Sequence, residues 1–199
     1  MQTLDKDWSN SHKWDFYAWT DVFTAQQIKE ITELIDKEYD GLQEKERGAP
    51  DAPDGTIVKN VSTVKNIQYG KIKHLISDVV NDAYYCANFN FGYPTFGPYN
   101  VEKLNFNTYN SDTKDYYEWH IDTSDSATYD VKLTLLINLS TEPYEGGKFQ
   151  LNNEWEDVSI LNTIGNALMF KSHIRHRVLP VTSGTRKSLT MFIHGPKFS

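Results

Sequence analysis

Cysteine is almost absent. Cys86 is the single one in 199 residues, so no intramolecular disulfide and no Cys-rich zinc site can form. Excess positive charge is missing as well. Twenty Lys and Arg against 27 Asp and Glu leave a formal charge of −7 and a pI near 5.3, and no long basic run occurs. That balance argues against a general nucleic-acid binder, which needs a basic face. No apolar run approaches the length of a membrane span, and the opening MQTLDKDWSN lacks the basic and apolar blocks of a signal peptide. The expectation is a soluble, cytoplasmic chain with no nucleic-acid and no membrane partner. Gly-x-Gly-x-x-Gly, Walker and Gly-x-Ser-x-Gly patterns are absent too, so nucleotide and serine-hydrolase chemistry have no starting point. Internal repeats and low-complexity tracts are not found. What is present is a 39% apolar, 14% aromatic composition, that of a globular chain. The length predicts one domain, residues 1–199, with a sizeable core.

The first helix signal is a capping box, Thr24 with Gln27, accompanied by a Phe23–Ile28 staple. Ile28, Ile31, Leu34 and Ile35 then share one face, and Gly41 offers a stop. Residues 41–56 mix charge with Gly and Pro and have no apolar period; they read as a surface loop or as a flap over a site. A Val/Ile/Thr-rich run at 57–69 predicts a strand. Ile72, Leu75, Ile76, Val79, Val80 and Ala83 then repeat at helical spacing, with Cys86 as a small buried filler near the end. His74 on this helix reads as structural or exposed.

From Tyr99 onward short strands alternate with turns. Strands are expected at 101–109, 116–121, 131–139, 148–151, 167–170, 175–181 and 186–194, separated by turn residues such as Glu145–Gly146–Gly147 and Ser183–Gly184. Such spacing suggests a sandwich or barrel. With helices first and strands later, the fold class is α+β. Residues 1–98 would supply helices and supporting strands, and residues 99–196 the β core.

The sharpest chemical feature is His120–Ile121–Asp122 at the end of a strand-like run. Positions i and i+2 of a strand point to the same side, so an imidazole and a carboxylate there can hold one divalent metal. Two His and one carboxylate leave three positions open, as in non-haem Fe(II) oxygenases. The third ligand must come from elsewhere, with His173, His176 and His194 as candidates. Arg186 follows His176 by ten residues across the Ser183–Gly184 turn, and two adjacent antiparallel strands joined there would place both in one cavity. A forked guanidinium suits a carboxylate. Metal and Arg together suit a short dicarboxylate such as 2-oxoglutarate, one end on the iron and the other on the guanidinium.

In order along the chain, Tyr109, YYEWHID, LLINLS, YEGGKFQL, GNALMF, HRVLPVTSGTRKSL and the terminal FIHGP resemble the 2-oxoglutarate- and Fe(II)-dependent dioxygenases, in their prolyl 4-hydroxylase-like branch. The resemblance covers about residues 99–196. It implies a double-stranded β-helix (jelly-roll) core with Fe(II) at His120, Asp122 and His176. Arg186 would take the far carboxylate of 2-oxoglutarate, Tyr109 would add a hydroxyl to it, and Ser188 shares the face of Arg186 by strand parity. His173 and His194 would then lie outside the ligand set. The implied reaction consumes 2-oxoglutarate and O2 as cosubstrates, with ascorbate as a candidate accessory, and releases succinate and CO2. The expected substrate is a prolyl residue of a proline-containing protein or peptide. A small molecule, another side chain, or a non-catalytic iron- or 2-oxoglutarate-sensing module are the alternatives. A monomer is the expected state, and the chain is compatible with a phage-encoded member working in host cytoplasm. Lys171, Arg175 and Arg177 could meet an acidic substrate or form a solvated strand end. Trp119 and Trp155 could wall a substrate or simply pack.

Overall fold

The computed structural model describes residues 15–44, 62–124, 126–151 and 158–197. Helix α1, Ala25–Glu38, starts on the expected capping box: the Thr24 hydroxyl accepts from the Gln27 N–H, and the Gln27 side chain accepts from the Thr24 N–H. Its buried stripe is Ile28, Ile31 and Ile35, with Thr32 beside it. Gly41 does not serve as the stop. The helix ends at Glu38 with Tyr39 extended, and the Asp40 N–H donates to the Asn66 carbonyl at 2.6 Å. The chain is thereby stitched into strand β2, Gly41–Glu44, which pairs antiparallel with β3, Thr63–Gln68. Residues 41–44 are thus sheet rather than loop, and residues 45–56 of the suggested flap lie outside the described residues. Helix α2, Tyr69–Phe89, follows β3 directly. Residues 57–61 of the expected strand at 57–69 lie outside the described residues, and its end comes one residue earlier, because Tyr69 is wholly buried with the apolar stripe of α2.

The remaining strands are β4 (Lys103–Asn110), β5 (Tyr117–His120), β6 (Tyr129–Asn138), β7 (Glu145–Gly146), β8 (Phe149–Leu151), β9 (Ala167–Lys171), β10 (His176–Val178), β11 (Val181–Ser183) and β12 (Thr185–Pro196). With β1, Phe16–Trp19, they form among the described residues a seven-stranded sheet, β1-β9-β6-β12-β4-β3-β2, a three-stranded sheet, β5-β10-β8, and a β7–β11 pair. Every recorded pairing is antiparallel. The result is α+β with a jelly-roll core. Among the described residues no helix is long and apolar enough to cross a membrane.

Two apolar layers follow from strand parity. Leu133, Leu135 and Ile137 of β6, with Leu189, Met191 and Ile193 of β12, pack against α1 and α2. Leu136 of β6 points the other way, into a second cluster with Phe149, Leu151, Phe170, Val178 and Val181. Residues of the same parity as Leu136 therefore line the space between the sheets.

The expected single strand at 175–181 is two strands. Leu179 and Pro180 separate β10, which pairs with β5 and β8, from β11, which pairs with β7. Proline cannot donate to a sheet ladder, so the chain changes partners there. The Ser183–Gly184 turn consequently joins β11 to β12, and β10 and β12 are not adjacent strands but belong to opposing sheets.

Candidate active site

His176 and His120 are direct cross-strand partners on β10 and β5, their ring centroids 4.1 Å apart. Asp122 lies two residues beyond β5, where its N–H donates to the Ser172 carbonyl at 3.0 Å. His120 Nε2 is 3.9 Å from Asp122 Oδ1, and His176 Nε2 is 3.5 Å from Asp122 Oδ2. One ligand atom from each residue falls within 4.8 Å of the others, a spacing that could hold a metal ion.

The two imidazoles are oriented by the same device. Nδ1 of His120 is 2.7 Å from the Glu118 carbonyl, and Nδ1 of His176 is 3.0 Å from the Ile174 carbonyl. A carbonyl only accepts, so each Nδ1 carries the proton and each Nε2 carries the lone pair that a metal ion would accept. Burial holds the His176 imidazolium pKa down at about 4, against a smaller opposing effect of the Ile174 hydrogen bond. The ring is thus neutral, as a metal ligand must be. Asp122 is shifted upward, chiefly by burial, while the Thr134 hydrogen bond and His120 favour its charged form. The Thr134 hydroxyl donates to Asp122 Oδ2 at 2.6 Å.

Across the cavity, β4 and β12 place Tyr109 opposite Arg186 and Asn107 opposite Ser188. Arg186 is 1% exposed. One of its terminal nitrogens, Nη1, donates to Ser188 Oγ at 3.2 Å, and its Nε is buried without a hydrogen-bond partner. Its guanidinium lies 5.5 Å from the Tyr109 ring centroid. Burial raises the Tyr109 phenol pKa, with the positive charge of Arg186 working against it. A backbone feature makes room for this arginine. Gly147 has φ +58°, and a Cβ there would sit 3.0 Å from both Arg186 Cδ and Val181 Cγ2. The Gly–Gly of YEGGKFQL therefore does more than turn the chain.

His120, Asp122, His176, Arg186, Tyr109 and Ser188 all line one cavity of about 210 Å³ between the sheets. The structure brings these six sequence-derived candidates together. His173 is exposed on the turn after β9 and stands outside the metal-sized group. His194 contacts Glu102 at 3.3 Å and meets the Tyr129 ring edge-on; His74 is exposed on α2. Trp119 packs beneath the Arg177 guanidinium at 4.5 Å and near Arg175 at 6.0 Å, and Lys171 pairs with Asp15 at 3.1 Å. Trp155 lies outside the described residues. Sequence reasoning passed over Thr134, Asn107 and Thr190, which also line the cavity. Thr134 did carry a signal: it is a hydroxyl inside the otherwise apolar LTLLI run.

A family description places this arrangement. Residues 104–194 match the model of the 2OG-Fe(II) oxygenase superfamily. The match is a likeness to that superfamily over slightly less than half of the chain. A PKHD-type hydroxylase of Psychrobacter sp. is 34% identical over 74 residues, 37% of this chain and 28% of that relative's length. The chain thus matches well under half of that curated relative. Among solved structures, a Pseudomonas putida prolyl-4-hydroxylase superposes with a TM-score of 0.65 at 14% identity, covering 95% of this chain and 97% of the other. A Trichoplax adhaerens prolyl hydroxylase, in complex with a hypoxia inducible factor oxygen degradation domain peptide fragment, gives 0.63 at 17% identity, covering 93% and 86%. At these identities the superpositions establish a shared fold.

Proposed function

We propose that this chain is a 2-oxoglutarate-dependent dioxygenase that hydroxylates a prolyl residue of a protein or peptide. The observation that carries the reading is Arg186, a cation 1% exposed with an unpartnered Nε. It lines the same cavity as a His–Asp–His group of metal-binding spacing. A buried charge without a counter-ion is costly, and among the described residues no carboxylate pairs with Arg186. A dicarboxylate in the cavity supplies the missing anion.

His120, Asp122 and His176 would hold Fe(II), which when bound supplies the redox chemistry that couples decarboxylation of 2-oxoglutarate to insertion of oxygen into a C–H bond. The protein's part is placement. The Glu118 and Ile174 carbonyls fix the two imidazoles, and such outer hydrogen bonds tune ligand strength as well as direction. Arg186 and Ser188 would bind the distal carboxylate, with Tyr109 roofing the guanidinium. Apolar walls from Leu136, Phe149, Val178 and Phe192 keep water away from the reacting centre. Prolyl as the target is supported by the fold shared with prolyl hydroxylases, one of them solved with a peptide. The test is incubation with Fe(II), 2-oxoglutarate and a panel of proline-containing peptides, with succinate release and a +16 Da product as readouts. Succinate formed with a hydroxylated peptide supports the reading. Succinate without any hydroxylated peptide redirects the substrate, and no succinate at all removes the activity.

A further inference from the structure

Thr134 is 1% exposed on β6, with its side chain in the intersheet space that also holds the His–Asp–His group. A valine would fill that site equally well, and a buried hydroxyl is costly unless bonded. Its partner is Asp122 Oδ2, at 2.6 Å, a length typical of a charge-assisted O–H···O⁻ bond. The oxygen engaged by Thr134 also lies 3.5 Å from His176 Nε2, while Oδ1 lies 3.9 Å from His120 Nε2, so the Thr134 bond fixes how the two oxygens are presented to the histidines.

We propose that Thr134 is a positioning residue that fixes the rotation of the Asp122 carboxylate and restricts it to one-oxygen coordination of the metal. This rests on the reading of His120, Asp122 and His176 as the Fe(II) site. The need for such a device is a matter of vacancies. A six-coordinate ion with three protein ligands has three positions left. A chelating 2-oxo acid and dioxygen would need those positions, so a carboxylate gripping with both oxygens would leave too few for the proposed reaction. Rotation about χ2 of an aspartate is broad and soft, and only an external bond holds it.

The test uses Co(II) alone, added to the full chain, because its visible absorption reports coordination number without turnover. Wild-type protein should bind Co(II). Thr134→Val should bind it about 10–100-fold more weakly, as losses of outer hydrogen bonds to metal ligands typically do, and with an altered visible spectrum. Thr134→Ser, which retains the hydroxyl, should restore both. Should the valine variant not fold by circular dichroism, Thr134→Ala against Thr134→Ser poses the same question. Equal Co(II) affinity and identical spectra with and without the hydroxyl would overturn the proposal. Failure of the folded wild-type protein to bind Co(II) would instead overturn the metal reading beneath it.

Discussion

Arg186 shows how much one side chain carries. If its guanidinium receives the distal carboxylate, Arg186→Ala leaves that carboxylate buried and unpaired, a loss of roughly 3–5 kcal/mol. At about 1.4 kcal/mol per decade this is about two to four orders of magnitude in 2-oxoglutarate affinity. Metal affinity should be nearly unchanged, and Arg186→Lys should recover only part of the loss, since a point charge cannot reproduce the fork. Anaerobic 2-oxoglutarate titration of the Fe(II)-loaded variants measures both. Unchanged affinity in Arg186→Ala would take the residue out of the cosubstrate site. His176→Ala should do the converse and lower Fe(II) binding directly, read by metal titration. If His173→Ala lost metal and His176→Ala did not, the ligand assignment would be wrong. The pairing of His176 with Arg186 was anticipated from the sequence, but for the wrong geometric reason: the two face each other from opposing sheets and are not neighbours across a turn.

Short strands make the site, and their positions depend on backbone as much as on side chains. Gly146 and Gly147, both at positive φ, let the β7–β8 segment press onto β11 and the stem of Arg186. In Gly147→Ala the left-handed conformation alone costs roughly 1–2 kcal/mol, and the new methyl must displace Arg186 or Val181. The expected result is lower thermal stability together with weaker 2-oxoglutarate binding. A Gly147→Ala protein with wild-type cosubstrate affinity would show that the Arg186 pocket does not depend on that glycine. The capping box of α1 was legible because its two bonds span three residues. The split of 175–181 into β10 and β11 was harder to see, because each strand is three residues long and is defined by partners far away in sequence. Gly41 misled for a related reason: a glycine after an apolar stripe ordinarily ends a helix, yet here the chain leaves one residue after Tyr39 to pair with β3.

The molecule as a whole would gain from an ion bound at the His–Asp–His group. His120 and His176 lie on the small sheet, and Asp122 is tied to the large one through Thr134 of β6, so a metal would clamp the two layers together. A ligand binding only the folded state at 100 times its Kd stabilises by about 2.7 kcal/mol. At about 2–4 °C per kcal/mol for a chain of this size, Tm should rise by about 5–11 °C with Mn(II) and fall back with a chelator. Thermal scans of apo and Mn(II)-loaded protein check this, and Asp122→Ala should abolish the shift. An equal shift in Asp122→Ala would place the metal elsewhere.

Local physics wrote the helices, the HxD pair, the glycine turns and the class of chemistry into the sequence itself. Capping, 3.6-residue periodicity and the i, i+2 geometry of a strand all act between near neighbours. That His176 comes within 3.5 Å of Asp122, that Arg186 stands on the large sheet, and that the Thr134 hydroxyl meets Asp122 are features only the tertiary structure makes. The contacts of Asp122 with Thr134 and His176 join residues 12 and 54 positions apart, and they exist because two twisted sheets close on each other and bury what lies between them.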